Sequence, residues 1–143
     1  MSDIETRVKK IVAEQLGVNE AEICLQVMDH GPLDVILLAG RLTLLDRSAE
    51  DALVPRCRKA VTSLVLGGIF NSGILATGPV AGATYDYGPA PQQVLDRVAA
   101  LQDQAAAQGM PLATAALHFA RDHPAAAAVL LNSTPVFLPK PSL

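Results

Sequence analysis

Residues 64–77, LVLGGIFNSGILAT, constrain the fold of this chain more than any other segment. An aliphatic run over 62–66 predicts a buried strand, and a loop follows it from Gly67-Gly68 to Gly73. Three glycines in seven residues allow backbone angles and close approaches that a side chain would prevent. In α/β folds a loop at the end of a buried strand is a usual place for a ligand. A strand-to-helix turn without a ligand explains the same residues, so the loop alone assigns no site.

Short aliphatic runs alternate with helical patterns along the rest of the chain. Strands are predicted at 33–40, 62–66 and 125–131. Apolar residues at helical spacing predict helices at 3–16, 20–30, 48–60, 91–108 and 111–123, the second and third with Asn19 and Ser48 as N-caps. Pro55 within the third helix predicts either a kink or a later start. A Gly/Pro-rich loop is predicted at 78–91 and an irregular tail at 132–143. This order predicts an α/β layer with parallel strands.

Composition excludes several classes of partner. The net charge of −3 is scattered along the chain, whereas a nucleic-acid-binding protein needs a basic stripe. The N-terminus is charged rather than apolar, and no apolar run reaches the ~18 residues typical of a membrane span. Cys24 and Cys57 lie outside any metal-binding motif, which predicts buried, reduced thiols and no metal site. A cytoplasmic protein without nucleic-acid or membrane partners is therefore predicted.

Residue patterns for catalysis are absent from the sequence. It contains no G-x-S-x-G elbow, no P-loop and no G-x-G-x-x-G motif. Asp86, between Tyr85 and Tyr87 in the long loop, would either line the mouth of a ligand site or simply pack a loop tip. The loop at 67–73 would offer backbone N–H groups to a phosphate. The three histidines are expected at the surface or at helix ends: His30, His118 and His123.

Several segments are similar to the aldo/keto reductases, in particular to sugar and pyridoxal dehydrogenases. They are GVNEAEICLQVMDHG, DVILLAGRLTLLDRSAEDALVPRC, LVLGGIFNSGILATG, ATYDYGPAP and LATAALHFARDHPAAAAVLL. The resemblance covers residues 17–131, about four fifths of the chain. That family folds as a (β/α)8 barrel and uses NAD(P) to transfer a hydride to or from a carbonyl or alcohol. The resemblance implies a partial, TIM-barrel-like half-barrel of parallel strands with flanking helices, preceded by an N-terminal helix.

The same resemblance implies a cofactor surface without a catalytic centre. It places Asn19 beside the nicotinamide carboxamide and the loop along the pyrophosphate. The residues implied to bind the cofactor are Asn19, Gly67, Gly68, Ile69, Phe70, Asn71, Ser72, Gly73 and Leu75. The family's Tyr/Lys/Asp/His tetrad comes from the first four strands, which have no counterpart here, so no catalytic residue is assigned. Leu42 stands where relatives often carry tyrosine, and the residues after Leu131 depart from the family's final loop and helix.

Residues 1–23, MSDIETRVKKIVAEQLGVNEAEI, resemble the first helix and turn of bacterial acyl carrier proteins. That family attaches phosphopantetheine to the serine of an Asp-Ser-Leu motif. Here Pro32 stands at the serine position of the nearest equivalent, GPLD, so carrier function is not expected. The chain is predicted to divide into an acyl-carrier-like helix at 1–16, a half-barrel at 17–131 and the tail.

Together these patterns predict an NAD(P)-dependent oxidoreductase fragment that keeps part of the cofactor surface and is not catalytic alone. The alternatives are an acyl-carrier-like protein and a non-catalytic interaction module that self-associates. A half-barrel leaves strand edges unpaired and its inner face uncovered, which favours self-association or pairing with a complementing half-barrel.

Overall fold

The structure, a computed structural model, describes residues 19–131. The predicted helix at 3–16 and the predicted tail at 132–143 lie outside this range. Five helices are described: α1 Glu20–Asp29, α2 Leu53–Ala60, α3 Ile74–Thr77, α4 Gln92–Ala107 and α5 Leu112–Asp122. Five strands accompany them: β1 Val35–Ala39, β2 Ser63–Gly67, β3 Thr84–Tyr85, β4 Gly88–Pro89 and β5 Ala126–Val129.

The main sheet has three parallel strands in the order β1-β2-β5. Leu37 pairs with Val65, and Leu66 pairs with Val129 on the other side of β2. The β2–β5 register shifts between Leu64 and Val65, so this pairing is irregular. Parallel neighbours need long crossovers, and helices supply them here. The predicted α/β class with parallel strands is confirmed.

Helices cover one face of the main sheet. The inward side chains of β1 and β2 are at most 6% exposed and form the centre of the core: Ile36, Leu38, Leu64 and Leu66. Met28 of α1, Leu53 and Cys57 of α2 and Ala120 of α5 belong to the same cluster. Fully burying a leucine or isoleucine contributes about 1.5–3 kcal/mol, so this face provides much of the folding free energy.

The opposite face of the sheet is open around β1. Val35 is 56% exposed and Leu37 58%, alternating with buried neighbours. The aliphatic run at 33–40 predicts a strand buried on both faces, and that expectation is wrong for β1. A run of apolar residues reports strand propensity and not how many faces are covered. Leu37 lies over Gly67, because a Cβ added to Gly67 would come within 3.3 Å of Leu37 Cδ1.

A second core lies beneath the segment that follows β2. Its buried members come from α3, α4, α5 and the loop after β1: Leu45, Ile74, Leu75, Val98, Leu112 and Ala116. Phe70 is half-buried and packs against both cores. The loop after β2 therefore rests on a continuous apolar support.

Helix α2 departs most from the sequence-based expectation. It begins at Leu53 rather than at Ser48, and Pro55 occupies its third position. A proline is tolerated there because the first N–H groups of a helix have no intrahelical partner. The helix ends at Val61, which has φ +58° and is 86% exposed. A β-branched residue is strained in this left-handed region, where glycine is usual.

The other predicted elements agree with the structure within a few residues. Helices α1, α4 and α5 match the predictions within one residue at each end, and Asn19 caps α1 as expected. Gly67 ends β2 instead of starting the loop. The expected loop at 78–91 contains the antiparallel β3–β4 hairpin.

None of the helices between residues 19 and 131 is long and apolar enough to cross a membrane.

Candidate functional site

The candidate loop leaves the carboxyl end of β2 directly beside the end of β1. The N–H of Gly40 donates to the carbonyl of Gly67 over 3.0 Å, which extends the pairing of the two strands. Gly68 has φ +58°, and a Cβ added there would lie 3.1 Å from the backbone nitrogen of Gly40. Both the backbone angle and the close approach require glycine at this position.

Asn71 fixes the loop from below through buried hydrogen bonds. Asn71 is only 5% exposed. Its Nδ2 donates to the carbonyl of Gly40 over 3.0 Å. Its Oδ1 accepts from Oγ1 of Thr43 over 2.5 Å. The Thr43 hydroxyl in turn accepts from the backbone N–H groups of Leu45 and Asp46. The loop after β2 is thereby joined to the loop after β1 by a satisfied polar network.

The nine residues implied to bind a cofactor differ in how much surface they offer. Four are buried: Gly67, Ile69, Asn71 and Leu75. Three are half-buried: Asn19, Phe70 and Gly73. Two are exposed: Gly68 and Ser72. The exposed part of the loop therefore consists mainly of backbone and the Ser72 hydroxyl.

Asn19 lies beside the loop after β1 rather than on the candidate loop. Its Oδ1 accepts from the N–H of Ala21, which caps α1, and its Nδ2 donates to Oγ of Ser48, both over 2.9 Å. The Ser48 hydroxyl donates to Asp46 over 2.7 Å. The hydrogen bonds among residues 19–131 do not join Asn19 directly to the 67–75 segment.

Sequence reasoning missed a charged cluster centred on Arg41, whose side chain is 13% exposed. Its Nη1 binds Asp46 over 3.0 Å and Asp86 over 3.1 Å, and its Nε binds Glu20. The hydrogen bond from Arg41 lowers the pKa of Glu20. In turn, hydrogen bonds to Glu20, Asp86 and Asp46 raise the pKa of Arg41. One guanidinium faces three carboxylates, so the cluster carries excess negative charge. No local motif marks it, since its members are up to 66 positions apart.

Tyr85 donates its hydroxyl to Asp46 over 3.1 Å at the edge of this cluster. Burial and the neighbouring Asp46 carboxylate raise the pKa of Tyr85 to about 12. For Asp46, burial acts to raise the pKa, but hydrogen bonds from Ser48, Arg41 and Tyr85 outweigh it and the pKa is lowered. The Tyr85 hydroxyl proton is thus directed at the Asp46 carboxylate.

The β3–β4 hairpin packs against the candidate loop. Oγ1 of Thr84 donates to the carbonyl of Ser72 over 3.0 Å, and the N–H of Tyr87 donates to Oγ of Ser72 over 3.4 Å. Of the two readings of the Tyr-Asp-Tyr segment, loop packing fits Tyr85 and Asp86, which bind the charged cluster. Tyr87 is 98% exposed, and its N–H lies beside Oγ of Ser72.

The histidines and cysteines lie away from this edge or in structural roles. His123 ends α5 and contacts Oε1 of Glu50 over 3.2 Å, while His30 is exposed just after α1. Cys57 is buried and Cys24 half-buried, both as free thiols whose pKa burial raises. Within the part of the chain that the structure describes, no group of three or more His, Cys, Asp or Glu side chains could hold a metal ion.

Replacing Asn71 with alanine is expected to lower the free energy of unfolding by about 2–4 kcal/mol, because the Gly40 carbonyl and the Thr43 hydroxyl lose their buried partner. Ser72→Ala, one residue away at an exposed position, should cost less than about 1 kcal/mol. Urea unfolding followed by circular dichroism measures both. Similar losses in the two variants would contradict the anchoring role of Asn71.

Tyr85 should make stability fall at alkaline pH. Its folded pKa, about 12, exceeds the unfolded value of about 10, so its contribution is complete below pH 10 and is lost as pH rises from 10 to 12. Urea unfolding at pH 9 and 11 should show a smaller alkaline loss in Tyr85→Phe than in the parent protein. Tyr87→Phe is the matched control and should retain the parent's alkaline loss. If Tyr85→Phe loses as much stability between pH 9 and 11 as the parent protein, Tyr85 is not the cause of the alkaline destabilisation.

Comparison with curated proteins finds 13 relatives, two of which are described here, whereas no family model matches the chain. A pyridoxal 4-dehydrogenase from Microbacterium luteolum is 39% identical over 117 residues, 82% of this chain. A D-threo-aldose 1-dehydrogenase from Pseudomonas sp is 31% identical over 111 residues, 76% of this chain. The chain spans only 34% of the length of either relative. The acyl carrier resemblance of residues 1–23 stays a prediction. Over the matched region, the chain is similar to about one third of two dehydrogenases of the aldo/keto reductase type.

Proposed function

We propose that this chain is part of an NAD(P)-dependent oxidoreductase of the aldo/keto reductase type and that its 67–75 segment holds the cofactor pyrophosphate. The similarity to two dehydrogenases supports the reaction class. The observation that carries the site is the loop itself: Gly68 and Ser72 are exposed at the carboxyl edge of the sheet, above the buried Asn71. Ligands of α/β folds bind at this edge.

Backbone groups would make the contacts to the pyrophosphate. The N–H groups of Asn71 and Gly73 already donate to carbonyls within the loop. Among the described residues, the N–H groups of Phe70 and Ser72 donate to no backbone carbonyl. Successive N–H groups in a glycine-rich turn form an anion-binding concavity. Arg41 is already bound to three carboxylates, so it adds little positive charge for a phosphate.

The three parallel strands are, in this proposal, part of a (β/α)8 barrel. Eight strands are needed to close such a barrel, and two thirds of the relatives' length lies outside the match. Catalytic groups would come from those further strands. Tyr85, the tyrosine nearest the charged cluster, binds Asp46 and has a raised pKa. The chain alone is therefore proposed to bind cofactor without turning over a carbonyl substrate.

Calorimetric titration with NADPH and NADH tests this proposal, and saturable binding of at least one of them is expected. Ser72→Asp adds negative charge to the exposed loop and should weaken binding by at least about tenfold. Ser63→Asp makes the same change at an exposed position at the amino end of β2 and should leave the affinity unchanged. Absence of binding, or an equal loss of affinity in the two variants, would refute the proposal that the 67–75 segment binds the cofactor. Reduction of pyridoxal or a sugar by the chain alone would refute the claim that it is not catalytic.

The open sheet face supports a second proposed function, as an interaction surface between two copies of the chain. Val35 and Leu37 are more than half exposed on β1, and within the described residues β1 and β5 each pair on only one side. Exposed apolar faces and unpaired edges are features of association sites. A complementing half-barrel would use the same face.

Light scattering during size exclusion measures this association. The protein is expected to form a dimer that Leu37→Lys converts to monomer, because a buried lysine would lack a partner. Val61→Lys, at a more exposed apolar position outside the sheet, should keep the dimer. A parent protein that stays monomeric at all concentrations would exclude self-association.

A further inference from the structure

Tyr87 occupies an unfavourable position that packing does not explain. Its side chain is 98% exposed, the most of any large apolar residue described. Asp86 and Tyr87 have φ of +49° and +64° and form the two-residue turn between β3 and β4. Turns with two positive φ angles strongly favour Asn-Gly or Asp-Gly, and a tyrosine there is strained. Strained residues that the surrounding structure holds in place are common at ligand sites.

Contacts on both sides fix the strained turn. Thr84 pairs with Pro89, and Tyr85 pairs with Gly88, within the hairpin. Outside it, Asp86 binds Arg41 over 3.1 Å and Tyr85 binds Asp46 over 3.1 Å. The position of the Tyr87 backbone is therefore determined by neighbours, although its ring contacts little of the protein.

The hairpin places this tyrosine next to the exposed part of the candidate loop. The Tyr87 N–H lies 3.4 Å from Oγ of Ser72, so the backbone of Tyr87 adjoins the exposed part of the loop while its ring stays free for a ligand. The excess of carboxylates around Arg41 disfavours a phosphate directly beside Asp86 in the hairpin turn. An uncharged planar ring is the part of a dinucleotide that suits this position.

We propose that Tyr87 is a ligand-stacking residue whose ring packs against a planar heteroaromatic ring of a dinucleotide held by the 67–75 segment. This inference rests on the function proposed above. A tyrosine has a rigid ring with few rotatable bonds, so it loses little conformational entropy when a ligand packs against it. Either the adenine or the nicotinamide provides the stacking surface, and both have the required π face.

Calorimetric titration of NADPH into three Tyr87 variants tests the stacking role. Tyr87→Ala and Tyr87→Gly should weaken binding by about tenfold, whereas Tyr87→Phe should bind within about twofold of the parent protein. Glycine also relieves the positive φ, so Tyr87→Gly should leave the melting temperature unchanged or raise it. A merely structural tyrosine would instead lower the melting temperature when it is replaced.

Val61 supplies a matched control at the opposite edge of the sheet. It shares the positive φ and high exposure of Tyr87. However, it lies just before β2, at the amino edge of the sheet, whereas Tyr87 adjoins the loop that follows β2. Val61→Gly should affect the melting temperature in the same direction and leave NADPH affinity unchanged. Equal affinity losses at both positions would overturn the inference.

Two cofactor fragments identify which ring is stacked. 2′-Phospho-ADP-ribose carries the adenine and nicotinamide mononucleotide carries the nicotinamide, so the fragment that loses affinity in Tyr87→Ala carries the stacked ring. If the parent protein binds NADPH but Tyr87→Ala binds it equally well, the stacking inference fails and the proposed function stands. If the parent protein does not bind NADPH or NADH, the proposed function fails and the stacking inference fails with it.

Discussion

The side chain of Asn71 is the contact on which the carboxyl edge of the sheet depends. Its two hydrogen bonds, one part-buried to the carbonyl of Gly40 and one buried to the hydroxyl of Thr43, tie the segment after β2 to the segment after β1. An amide can donate and accept at once, which no aliphatic side chain of the same size can do. The exposed backbone of the loop is thus held by hydrogen bonds from a buried side chain. This separation of support from surface suits a site that must be in place before its ligand arrives.

Electrostatic contacts extend that support to the rest of the edge. Arg41 joins α1 through Glu20, its own loop through Asp46 and the β3–β4 hairpin through Asp86. A guanidinium can serve three carboxylates because its five N–H groups point in different directions within one plane. The arrangement explains how a hairpin with only two paired residues in each strand keeps a defined position. The excess negative charge of this cluster disfavours anions beside it and accepts neutral or cationic groups.

Local sequence patterns predicted the elements whose periodicity is regular, and long-range contacts decided the rest. Helices α1, α4 and α5 follow a clear 3.6-residue spacing and begin at proline or asparagine, so their bounds were predictable. The start of α2 at Leu53 was not predicted from the cap pattern. Ser48 resembles an N-cap residue, but its hydroxyl bonds to Asn19 and Asp46 instead. The hairpin carries Asp-Tyr where a turn signal would be Asn-Gly. The glycine loop was located from sequence, whereas the Arg41 cluster required the fold.

The irregular pairing of β2 with β5 has a geometric consequence for the open edge of the sheet. Leu64 pairs with Ala126 and Val65 with Ala128, so Ala127 is an extra residue in β5, and an extra residue of this kind typically bends its strand and increases the right-handed twist. It also offsets β5 along its own axis relative to β1, and a closed barrel is defined by how such offsets accumulate around its circumference. The shear of any larger sheet built on this chain is therefore partly set by the pairing of β2 with β5. A strand added beside β5 inherits that offset and must be staggered to match it.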